Sequence, residues 1–232
     1  MAVIAVCIAL VVVGAVMVVR WGGDLHKAPR ELSRGAGGFA ARALRNVGVA
    51  LAAGLAAGVL AAGAGGRLVM RLLAATSSEA EGSVTEANEI VGRITVDGTV
   101  GFFVFVGLPA GFLSGALYAL VGPLLPPGRV GGVALGVLLL VLVGTRLDPL
   151  RADNPDFLIV GPAWLAAIAF TALGVFQGML VTALAARMSR HSARAPDTAQ
   201  RRRVITVSRI ALGLIVLAAL PSFLGAMTDI LG

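Results

Sequence analysis

The chain has 232 residues, 58% of them hydrophobic, with a formal net charge of +7 and a mean hydropathy of +0.93. A lone cysteine, Cys7, lies in an apolar run and excludes an intrachain disulfide, a cysteine metal cluster and a CxxC redox pair. The only lysine, Lys27, lies outside every apolar run, which excludes a retinal Schiff base within a span.

Six apolar stretches organise the sequence, at 3–19, 46–64, 99–121, 130–145, 157–185 and 210–228. A helix rises about 1.5 Å per residue, so about 20 apolar residues cross a hydrocarbon core of about 30 Å. The breaks between them are too short for an independent soluble core. The expected fold is an all-α polytopic transmembrane helix bundle of six spans, one domain over 1–232, with an outer cap segment at 72–98.

The first stretch, rich in Val and Ile with Gly14 alone to soften it, reads as a peripheral, lipid-facing span. It lacks a basic leader, and Arg20 and Trp21 follow where small residues would mark a cleavage site, so a retained anchor is expected, with Trp21 at the interface. The second stretch carries Ala50, Gly54, Gly58, Ala62 and Gly66 at four-residue spacing, and the third carries Gly107, Gly111 and Gly115. Small residues on one face let helix backbones approach closely in lipid. The fourth offers Gly132 and Gly136, and the fifth Gly174 and Gly178. Spans two, three and five should form the tight centre. Pro109, Pro162 and Pro221 are placed within spans three, five and six, where each removes one backbone hydrogen bond. Hairpins 2–3 and 4–5 echo one another, most visibly in Gly115-Ala116-Leu117 and Gly178-Met179-Leu180.

Charge sets the orientation. The breaks at 20–45, 122–129 and 187–209 hold 14 basic residues against Asp24, Glu31 and Asp197, whereas the opposite side holds 5 basic and 9 acidic residues. Cytoplasmic loops are enriched in Lys and Arg, so both termini are expected outside. The inner breaks should lie against anionic headgroups. The Arg201–Arg203 triplet has no interleaved aromatics, so nucleic acid is not an expected partner.

The outer break is the candidate site. Arg67 and Arg71 lie one turn apart at the outer end of span two. Ser83-Val84-Thr85-Glu86 has capping-box spacing, which predicts a short helix over about 84–93 that carries Glu86, Glu89 and Arg93 over the bundle mouth. Asp97-Gly98 reads as a turn before span three, and Asn154 or Asp156 as the cap of span five, with Pro155 in its first turn. The glutamates at 79, 81, 86 and 89 match no EF-hand spacing, and no metal or other cofactor is expected. Within the spans the polar residues are few, Ser114, Tyr118, Thr171, Gln177, Thr182 and Ser222, and they are expected to hydrogen-bond between helices. His26 and His191 both lie in breaks, so a transmembrane bis-His haem is excluded, and no H-E-x-x-H or G-x-S-x-G motif occurs.

The run Gly66-Arg67-Leu68-Val69-Met70-Arg71-Leu72-Leu73-Ala74-Ala75-Thr76-Ser77, followed by Gly92-Arg93-Ile94-Thr95 and Gly98-Thr99, resembles uncharacterised multipass membrane proteins of high-GC bacteria. The resemblance spans 66–99 and implies no activity. The expected role is a non-enzymatic binding component or a subunit of a membrane assembly in a bacterial plasma membrane, with lipids, a second copy or another membrane protein as partners. The alternative is a small channel or carrier for an anionic or neutral solute with an Arg-lined outer mouth.

Overall fold

A computed structural model describes residues 2–25, 39–77, 95–144, 162–189 and 199–231, and the described residues form helices and turns without a strand. Helix α1 is Ala2–Trp21, closed by a 3₁₀ turn at Gly22–Asp24. Helix α2 runs Phe39–Ala57, widens into a π-helical turn at Gly58–Gly63, and continues as Ala64–Ala75. Helix α3 begins at Val96–Phe102, widens at Phe103–Gly107, and continues through Leu108–Val121 into a tight turn at Gly122–Leu124. Helix α4 is Arg129–Leu139 with a π-helical end at Leu140–Gly144. Helices α5 and α6 are Ala163–Met188 and Ala199–Leu231.

Five segments are long and apolar enough to cross a membrane: Ala2–Asp24, Ala43–Ala75, Val96–Leu124, Ala163–Met188 and Thr206–Asp229. Helix α4 is shorter over its described residues Arg129–Gly144, rising about 24 Å. The six apolar stretches are therefore six helices, five of which have spanning length.

The bundle is organised around α5, which packs against α1, α2 and α4 and touches α3 and α6. The glycine stripes are the seams. A Cβ on Gly111 would lie 2.7 Å from Gly54 O, and one on Gly115 would lie 2.7 Å from Ala50 O, so α2 and α3 meet backbone to backbone. Helices α4 and α5 repeat the device, with a Cβ on Gly136 2.9 Å from Gly174 O and one on Gly178 2.5 Å from Gly136 Cα. The two hairpins thus pack alike, each through a glycine-lined seam. Gly54 faces Gly115 and Gly58 faces Gly111 as Gly136 faces Gly178. The expected centre of α2, α3 and α5 holds, with α4 added to it.

Helix α1 is peripheral as expected: Val6, Ile8, Val12, Val13, Val16 and Val19 are exposed, and Cys7, Gly14 and Val18 form its buried edge. Helix α6 is more peripheral still, with no buried residue across its apolar window. Four contacts gather the basic breaks at one end. Arg129 donates to Val19 O at 3.0 Å, Gly128 N–H donates to Leu25 O at 3.0 Å, Arg187 lies over Trp21, and Arg209 Nε donates to Leu124 O at 2.7 Å. At the opposite end Leu73 of α2 packs near Ala166 of α5.

Two local expectations change, at Pro162 and at Asp97-Gly98, while Pro109 lies within the third span as expected. Pro162 is the N-cap of α5, with extended backbone at φ −70° and ψ 126°, and does not lie inside the helix. Pro109 sits at the start of a helical segment, directly after the widened turn at Phe103–Gly107. That turn changes the bonding pattern where the missing proline N–H would otherwise break the ladder. Asp97 and Gly98 belong to the first turn of α3, because Thr95 caps it by accepting from Gly98 N–H at 3.0 Å. Asn154, Pro155 and Asp156 lie outside the described residues.

Candidate functional site

The small residues at the C-terminal end of α2 make room for aromatic rings. A Cβ on Gly66 would lie 2.8 Å from Phe102 Cε1, and a Cβ on Gly63 would run into the Phe103 ring. Phe102 therefore rests against Gly66 and its neighbour Arg67, whose guanidinium carbon is 5.7 Å from the ring centroid. Arg67 is only 8% exposed. Such stacking contributes about 0.5–2 kcal/mol, more as water is excluded. Arg71, one turn further along α2, is exposed. The two arginines leave the same helix in different settings, one held against a ring inside the wall and one at the surface. Glu86, Glu89 and Arg93, expected above them, lie outside the described residues, as do the glutamates at 79 and 81.

The second constellation lies near the middle of α5, about 21 Å from its start. The Gln177 side chain is buried between α2 and α3. With its nitrogen turned to Ala57 O at 2.9 Å, its oxygen receives the Ser114 hydroxyl at 3.0 Å and Gly58 N–H at 3.3 Å. The reverse orientation would set oxygen against a carbonyl and nitrogen against an N–H, so the first orientation is the physical one. Ser114 Oγ also lies 3.0 Å from Gly111 O. One amide thus joins three helices. It reaches α2 where that helix changes from α to π geometry, since Ala57 ends the first segment and Gly58 opens the wide turn. π-turns of this kind concentrate at functional positions.

Tyr118 takes no part in this contact. Its ring packs on Gly122, 3.2 Å from where a Cβ would stand, one turn nearer the basic end. Thr182, expected to bond between helices, is buried and instead donates back along its own helix to Gly178 O at 3.1 Å. No three His, Cys, Asp or Glu side chains come together among the described residues.

Comparison with family models, curated proteins and solved structures finds no match for this chain. The two constellations therefore carry the functional reading by themselves. The sequence found Gln177, Ser114 and Arg67, but not their partners. Phe102 and the Ala57–Gly58 backbone were missed, although Gly58 stood in the small-residue stripe and Gln177 beside Gly178.

Proposed function

We propose that the chain is a multipass protein of a bacterial plasma membrane, with six spans and both termini outside. It acts as a non-enzymatic binding component or assembly subunit. Its helices are apolar, and its periphery on α1 and α6 is exposed and aliphatic. The charge asymmetry supports the orientation. The observation that carries the role is the closed centre. Helices α2 and α3 touch backbone to backbone at Gly54, Gly58, Gly111 and Gly115, and the Gln177 amide is engaged on both sides in the same layer. A solute path along that seam would have to part glycine-packed backbones.

The burial of Arg67 supports the same reading. A mouth residue of a conduit faces water, whereas Arg67 is packed on Phe102 inside the wall. Its buried, stacked guanidinium suits a fixed carboxylate or phosphate on a docked headgroup or partner segment. The test is reconstitution of the purified protein in liposomes loaded with small anions and neutral solutes. Efflux equal to that of empty liposomes is expected, together with co-purification of a stoichiometric lipid or protein partner that Arg67→Ala releases. Saturable efflux that Arg67→Ala abolishes would overturn the assignment in favour of a carrier.

A further inference from the structure

The basic end of the bundle holds a second charged constellation. Arg20, Arg45, Arg129, Arg187 and Arg209 are exposed, and none forms an ion pair with a described carboxylate. Two of them are positioned without being neutralised. Arg129 of α4 directs one N–H to Val19 O at 3.0 Å, and its stem lies over Gly22, where a Cβ would stand 3.5 Å from Arg129 Cγ. Arg187 of α5 is stacked with its guanidinium carbon 5.7 Å from the Trp21 centroid. Guanidinium groups from two helices therefore flank the last turn of a third.

Beyond this point α1 and α4 pack on α5 rather than on each other. Gly14 of α1 meets Phe176, where a Cβ would be 3.1 Å from Cζ, and Gly132 of α4 meets Met179, 2.8 Å from Cα. Phe176 and Met179 are partly exposed, whereas Leu180, Ala183 and Leu184, which lie between them and Arg187 on α5, are buried, so apolar surface near the two arginines comes from the flanking helices. The flanking helices expose Val16 and Val19 on one side and Val130 and Val133 on the other.

We propose that this end is a seat for one anionic glycerophospholipid, its phosphate between Arg129 and Arg187 beside Trp21 and its acyl chains against the exposed valines of α1 and α4. Charge complementarity selects the headgroup. Guanidinium forks match phosphate oxygens at two points, and basic pockets between helices on the cytoplasmic side bind anionic headgroups. Tryptophan is favoured at headgroup depth. The exposed valines beside the charges fit a lipid rather than a nucleic acid, which would need open stacking faces where Trp21 is instead covered by Arg187. The inference rests on the membrane assignment above and concerns the end opposite Arg67.

The test uses the full chain in phosphatidylcholine nanodiscs with and without phosphatidylglycerol, with retained lipid counted by native mass spectrometry. One retained phosphatidylglycerol is expected. Arg187→Gln and Arg129→Gln should each weaken retention about fivefold, while Arg45→Gln, which removes the same charge from the start of α2, should leave it unchanged. Arg187→Gln breaks no hydrogen bond of the fold, so it carries the test if Arg129→Gln loosens the α1–α4 contact. Equal loss in Arg45→Gln, or unchanged retention in Arg187→Gln, would overturn the seat. Failure of the wild type to enter nanodiscs of either composition would overturn the membrane assignment itself.

Discussion

Replacing Gly58 by alanine tests the seam at its tightest point. The added Cβ would lie 2.6 Å from Gly111 Cα and 2.8 Å from Gly111 N, with Gly107 O closer still. All three are backbone atoms and cannot rotate away. Carbon contacts are comfortable at about 3.5–4.0 Å, so α2 and α3 must separate by about 1 Å. Overpacking of this kind costs about 1–3 kcal/mol. The separation also pulls Gly58 N–H and Ala57 O off the Gln177 amide, and interhelical hydrogen bonds in membranes average about 0.6 kcal/mol. The expected loss is therefore about 2–4 kcal/mol, offset by less than about 1 kcal/mol of helix propensity gained from alanine. Unfolding in mixed micelles by increasing denaturing detergent reads it out. Gly48→Ala and Gly101→Ala are the controls, because nothing lies within 4 Å of a Cβ at either position. They should be neutral or mildly stabilising. If Gly58→Ala unfolds at the same point as these controls, the backbone seam is wrong.

Three further outcomes follow from the same contacts. A double-mutant cycle with Ser114→Ala and Gln177→Ala should show a coupling of about 0.6 kcal/mol, with additive losses arguing against the shared amide. Arg209→Ala should expose α6 to faster hydrogen exchange while leaving α2 and α3 protected, because Arg209 ties α6 to Leu124 O and Leu125 O and the rest of that helix is only loosely covered; unchanged exchange in α6 would refute that tether. The double Arg67→Lys, Arg71→Lys variant should insert normally yet lose its bound partner, since an ammonium lacks the planar two-point geometry of guanidinium; a retained partner would reduce both residues to interfacial cations.

Much of the packing was legible because glycine has one meaning on a membrane helix at four-residue spacing. The stripes at Gly54–Gly58, Gly107–Gly115, Gly132–Gly136 and Gly174–Gly178 became the seams between helices. The wide turns at Gly58–Gly63, Phe103–Gly107 and Leu140–Gly144 were not legible, since a one-residue insertion in a helical ladder leaves no mark on an Ala, Gly and Val sequence. Arg67 and Arg71 share a face by spacing. Their different burial is decided by Phe102, a residue of another helix whose depth no local pattern records. Pro162 could have been read as a helix boundary from its own geometry, because the residue before proline disfavours helical backbone. The facing of α6 could not be read, since its apolar residues surround the whole helix.

The six-span topology is tested most directly by cysteine accessibility in intact cells, starting from Cys7→Ala. Single substitutions Ser83→Cys, Pro127→Cys, Asp153→Cys and Ser192→Cys bracket α3, α4 and α5. A membrane-impermeant maleimide should label positions 83 and 153 from outside and reach 127 and 192 only after permeabilisation. The pair 127 and 153 is decisive, because only the short helix α4 separates it from a five-span chain. Protection of 153 together with 127 would show that α4 does not cross, and would contradict the account.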